Sequence, residues 1–98
     1  MPRAYFYTDF CEEFTERIEE YIKNELGYSD EELGNLEVLT WDDLVRDYEE
    51  MLEDMLGSDL WEKLGSYIDV EAIIDDDILG GWISEIEVDG QKFYVRER

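Results

Sequence analysis

The chain has 98 residues, of which 29 are Asp or Glu and eight are Lys or Arg, for a formal net charge of −21. It has no His, one Cys and one Pro. These numbers exclude imidazole acid–base chemistry, a Ser–His or Cys–His nucleophile, a histidine zinc site and an internal disulfide. The length suits one domain, and an apolar content of 44% is enough for one modest core. No signal peptide or membrane-length apolar run is evident, so a cytoplasmic protein is expected, with no membrane partner. Direct nucleic-acid binding is not expected, because phosphates would be repelled.

The charge is not evenly spread. Residues 9 to 77 hold 25 acids and four bases (Arg17, Lys23, Arg46, Lys63), a net of −21, which is the whole excess. Self-repulsion of this size opposes a compact state. Either the chain uses it or the chain is adapted to high salt. The balanced C-terminal segment argues against salt adaptation, which would acidify all exposed surface.

Residues 4 to 7 (Ala-Tyr-Phe-Tyr) favour a short strand. Asp9 is placed as a helix N-cap with Glu12 three residues on, and Phe10, Phe14, Ile18, Tyr21 and Ile22 follow at helical spacing. Cys11 borders this stripe and is expected in the core. Gly27 ends the helix. Residues 28 to 39 read as a connection, with one helical turn at 30 to 33.

Thr40 begins the clearest helix, as an N-cap with Asp43 at the third helical position and Leu39 and Leu44 spaced for a hydrophobic staple. Trp41, Leu44, Val45, Tyr48, Met51, Leu52, Met55 and Leu56 form one apolar stripe. Gly57 stops it, and Ser58 is placed to cap a shorter helix carrying Leu60, Trp61 and Leu64. Asp69 is placed to cap a further segment with Val70, Ile73 and Ile74.

After Gly80-Gly81, residues 82 to 88 and 91 to 96 alternate around Asp89-Gly90, a two-residue hairpin signal. The implied register pairs Val88 with Gln91, Glu87 with Lys92, Ile86 with Phe93, Glu85 with Tyr94 and Ser84 with Val95. It puts Trp82, Ile86, Val88, Phe93 and Val95 on one face, and Glu85, Glu87, Lys92 and Arg96 on the other. The expected fold is a small single α+β domain: an N-terminal strand and a C-terminal hairpin form an antiparallel sheet. That sheet packs on two longer acidic helices and one or two short ones. Trp41, Trp61 and Trp82 are assigned to the core.

Two acidic rows stand out. Asp9, Glu13, Glu16 and Glu20, and then Asp43, Asp47, Glu50 and Asp54, share the spacing 4, 3, 4, which places each quartet on one helix face. Eleven helical residues rise about 16 Å, so each row carries one carboxylate per roughly 4 to 5 Å. A DNA strand carries one phosphate per about 3.4 Å. Glu12, Glu19, Glu53, Asp75, Asp76 and Asp77 widen the array. The pattern suggests a folded display of carboxylates that mimics a duplex and occupies the cationic channel of a DNA-handling protein. Such a role needs no catalytic residue, cofactor or metal. Asp75, Asp77 and Gly80 echo an EF-hand loop, but Leu79 and Ile86 fall where oxygen ligands belong, so no specific calcium site is assigned. The bland alternative is a solvated acidic face. An acidic adaptor for a basic nucleic-acid-binding protein is another.

Residues 64 to 72 read Leu-Gly-Ser-Tyr-Ile-Asp-Val-Glu-Ala, followed by Asp76, Leu79, Gly81 and Trp82. This stretch resembles the C-terminal domain of the ArdA antirestriction proteins. Tyr67, Ile68, Asp69, Glu71 and Ala72 match the family's run; Val70 stands for an aromatic and Asp75 for an Arg. The resemblance covers residues 64 to 96. It implies DNA mimicry by an elongated acidic dimer from a phage or mobile element that occupies the DNA site of a type I restriction–modification enzyme. A smaller mimic also suits another host defence protein, such as a CRISPR effector.

Overall fold

The computed structural model describes residues 3–98. It is an α+β fold with four helices and a four-stranded mixed sheet. In chain order the elements are β1 (Tyr5–Phe6), α1 (Glu12–Leu26), a 3-10 turn (Glu32–Asn35), β2 (Leu36–Leu39), α2 (Trp41–Leu56), α3 (Ser58–Leu64), a second 3-10 turn (Gly65–Tyr67), α4 (Val70–Leu79), β3 (Ser84–Val88) and β4 (Gln91–Glu97).

The hairpin forms in the register that its turn dictates, with all five expected pairs present. Asp89 and Gly90 both have positive φ, 52° and 80°, which matches the right-handed twist of the strands they join. The sheet order is β1-β2-β4-β3. The first strand therefore joins the hairpin's sheet only through β2, which lies in the segment expected to be a connection. β2 runs antiparallel to β4 and parallel to β1. Four residues, Leu-Glu-Val-Leu, have no strong local preference. Their strand state comes from partners far along the chain.

Successive strand residues point to opposite faces. Val38, Phe93, Val95, Ile86 and Val88 meet Ile18 and Ile22 of α1 in one core cluster. Leu39, Tyr94 and Ile83 meet Leu44 and Tyr48 of α2 and Ile74 of α4 in another. The sheet is thus the middle layer, with α1 on one side and α2 and α4 on the other. The molecule measures 43 × 23 × 23 Å.

Several local expectations change. The first helix begins at Glu12, not after Asp9, and Cys11 sits at its N-cap position without a side-chain cap. Phe10 explains the delay. It stacks edge-on with Phe14 at 5.4 Å and Phe93 at 5.5 Å, so the chain enters the helix only after placing this ring. Cys11 is left exposed rather than in the core. The second helix has the expected capping box between Thr40 and Asp43. Gly57, not Ser58, takes the cap position between α2 and α3, with φ 84° and ψ 152°. Asp69 caps α4 by accepting the Ala72 N–H. Trp82 is 78% exposed and not in the core, because Gly81 turns the chain at φ 85° and β3 begins only at Ser84; Ile83 is buried instead, against Tyr94.

Candidate partner-binding surface

The outer face of α1 carries Glu13, Glu16 and Glu20, all exposed. They border an open depression of about 580 Å³ that also includes Glu12, Arg3, Arg17 and Lys23. Each of these cations already has an acidic partner. Arg3 bridges Glu12 at 2.6 Å and Glu19 at 2.8 Å, Lys23 bridges Asp30 at 2.9 Å, and Arg17 meets Asp89. The hydrogen bonds to Glu19, and then to Glu12, hold the Arg3 guanidinium pKa above its ordinary value.

Two members of the expected α1 array are placed differently. Asp9 lies in the connection before α1, exposed but off the helix row. Glu19 is buried and accepts both the Arg3 guanidinium and, at 3.3 Å, the Ala4 N–H. It follows Ile18 at the margin of the apolar stripe, so it turns toward β1 rather than solvent. Its role is to fasten the N-terminal strand to α1.

The α2 row also divides. Asp43, Asp47 and Glu50 do share a face, lining a small depression with Tyr7 and Arg46. The first two are committed to the fold. Asp43 is buried; it accepts the Thr8 hydroxyl at 2.6 Å and the Thr40 N–H at 3.2 Å. Burial pushes its carboxyl up, but these hydrogen bonds, helped by the Arg46 charge, outweigh that and hold it below the ordinary carboxylate value. Asp47 accepts Arg96 at 2.7 Å, while the same guanidinium reaches Glu37 at 2.8 Å. Burial lowers the Arg96 pKa, yet the two carboxylates raise it further, so the charge is fixed. Past the sheet, Glu50, Glu53 and Asp54 are exposed and take no ion pair among the described residues.

On α4, Asp75 and Asp76 are exposed, whereas Asp77 is half-buried and accepts the Tyr48 hydroxyl. Burial, then this hydrogen bond, push the Tyr48 phenol up to about 12. Among the described residues, five of the eight basic residues and seven of the 29 acids take part in ion pairs.

Because α1 and α2 cover opposite faces of the sheet, their acidic rows do not merge into one ridge. One row is Glu13, Glu16 and Glu20. The other is Glu50, Glu53 and Asp54, with Asp75 and Asp76 on the α4 of the same layer. Glu12 adds to the first row while paired to Arg3. A body 23 Å thick separates the two.

Comparison with protein families, curated proteins and solved structures finds no match. The surface itself carries the functional reading.

Among the described residues no group of three or more candidate ligands could hold a metal ion, and no helix is long and apolar enough to cross a membrane. The sequence reading missed the exposed apolar side chains at one end: Met51 and Met55 on α2, Leu60 and Leu64 on α3, and Tyr67 in the following turn. The buried residues of α2 are Asp43, Leu44 and Tyr48 in its first half, whereas Met51 and Met55 continue the same apolar stripe into its second half and are exposed.

Proposed function

We propose that this protein is a DNA mimic from a phage or mobile element that inhibits a host DNA-binding defence enzyme by occupying its DNA channel. The observation that supports this reading is the pair of exposed carboxylate rows, without ion pairs among the described residues, on opposite sides of a narrow rod. A duplex likewise presents charge on both sides of its axis, and a channel that encloses DNA meets both. The 43 Å length corresponds to about a dozen base-pair steps at roughly 3.4 Å each. Fixed carboxylates on helices need no ordering on binding, and their field speeds encounter with a cationic cleft. The rows consist of Glu13, Glu16 and Glu20 on one side, and Glu50, Glu53, Asp54, Asp75 and Asp76 on the other. Glu19, Asp43, Asp47 and Asp77 act as the struts behind them.

A type I restriction–modification enzyme is the first target to test, on the resemblance of residues 64 to 96 to the ArdA C-terminal domain. A CRISPR effector offers the same channel chemistry and is the second. The experiment measures displacement of a labelled duplex from each purified enzyme across a salt series. The protein should displace the duplex, with an affinity that falls steeply as salt rises. The triple variants Glu13→Lys/Glu16→Lys/Glu20→Lys and Glu50→Lys/Glu53→Lys/Asp54→Lys should each lose at least about tenfold in competition. A ternary complex in which enzyme, duplex and protein coexist would instead identify an acidic adaptor.

A further inference from the structure

The half-uncovered stripe of α2 continues into α3, which packs on α2 and on the turn after it and contributes no buried residue. Met55 is 73% exposed, Tyr67 84%, Leu60 48% and Leu64 45%. Met51 and Met55, and likewise Leu60 and Leu64, are i, i+4 pairs, so each helix shows a row rather than a scattered residue. Exposed apolar rows of this kind mark an interaction site. Methionine side chains, being flexible, suit a surface that receives another protein.

The charge around these rows selects the occupant. Glu49, Glu50, Glu53, Asp54, Asp59 and Glu62 are exposed on the same two helices and have no ion-pair partner among the described residues; the cations of these helices are Arg46, in the first half of α2, and Lys63. A two-fold contact with a second copy would set this acidic border against itself. A cationic partner would satisfy it. We infer that the outer half of α2 together with α3 docks an amphipathic cationic helix of the target protein, its apolar side on Met55, Leu60 and Leu64 and its Lys or Arg residues on the acidic border. This rests on the reading above that the target is a cationic protein. It adds a contact that salt does not screen, so binding is not purely the displacement of phosphates.

The test uses the whole chain and two synthetic helical peptides of about five turns. One has Leu at helical spacing with Lys elsewhere; the other has Ser in place of every Leu. Titration calorimetry at about 50 mM and about 500 mM NaCl separates screened from unscreened binding. Both peptides should bind at low salt. At high salt the Leu peptide should remain bound at least about tenfold more tightly than the Ser peptide. In the double variant Met55→Gln/Leu60→Gln that difference should vanish while Ser-peptide binding at low salt is unchanged; both residues are exposed, so the fold is kept. The border variant Glu53→Gln/Asp54→Asn should weaken both peptides at low salt. Equal binding of the two peptides at high salt, or a Leu-peptide affinity indifferent to the double variant, would overturn the docking surface. So would sedimentation of the wild type as a dimer that the double variant dissolves, since a second copy would then cover the face. Failure of the DNA-mimic reading appears elsewhere, as an enzyme whose duplex is not displaced, and leaves the peptide comparison intact.

Discussion

Arg96 on β4 donates a hydrogen bond to the Asp47 carboxylate on α2 at 2.7 Å, so a residue of the expected acidic display is instead a bolt between helix and sheet. Asp47→Lys would face the guanidinium with a like charge in a half-buried site. It should destabilise the fold by about 2 kcal/mol, given that both groups keep some solvent access. Glu50→Lys, Glu53→Lys and Asp54→Lys should stay within about 0.5 kcal/mol of wild type or gain slightly, because they relieve repulsion on an exposed face. Urea unfolding of the four single variants checks this. An Asp54→Lys loss as large as that of Asp47→Lys would contradict the division of the row into strut and display.

Asp43 has a depressed folded pKa, so its contribution is linked to pH. Above the unfolded value near 3.8 the ionised form is favoured in the fold, and that stabilisation is fully present. It is lost as pH falls through the lower folded value. Asp43→Asn should therefore cost about 1 kcal/mol at neutral pH, through the weakened capping box and the Thr8 contact. The difference from wild type should narrow as pH falls below 3.8. Unfolding curves at a series of pH values read this out, and a gap that widens in acid would reverse the assignment.

The Tyr48 hydroxyl offers the opposite sign. Its folded pKa is raised from 10.0 to about 12, so its stabilisation is complete below pH 10 and disappears as pH rises through about 12. Tyr48→Phe should be less stable at neutral pH by about 1 to 2 kcal/mol, the scale of a hydrogen bond to a carboxylate. The variant should also show a flatter stability profile between about pH 10 and 12. Thermal melts followed by circular dichroism over that range test the link between α2 and α4.

A net charge of −21 on a body this small makes repulsion a measurable part of stability. The melting temperature should rise between about 10 mM and about 500 mM NaCl as exposed carboxylates are screened. The triple neutral variant Glu50→Gln/Glu53→Gln/Asp54→Asn should show a shallower salt dependence. Scanning calorimetry decides it; an unchanged slope would mean that these three groups are already compensated.

Legibility of the fold in the sequence follows the range of the forces involved. The hairpin register is written into Asp89-Gly90 and the alternation around it, and the start of α2 into Thr40 and Asp43, because both depend on contacts within a few residues. β2 was not legible, since Leu36–Leu39 becomes a strand only by lying between β1 and β4. The acidic rows were legible as periodicity but not as exposure. Glu19 and Glu20 are neighbours in sequence, yet one is buried under Arg3 and the other faces solvent. The stripe of α1 alone does not say which margin β1 will cover. Nor does the spacing of Asp43, Asp47 and Glu50 say where the sheet ends beneath them.

Gly57 is the whole link between α2 and α3, and it adopts φ 84° with open space around its missing Cβ. An alanine there would meet no clash, but it would resist that rotation. The chain relieves this by swinging α3 like a lever about its fulcrum, carrying Leu60 and Leu64 away while the sheet stays put. One codon therefore sets the aim of that end of the molecule, and variation at it redirects the exposed Leu60 and Leu64 without rebuilding the core.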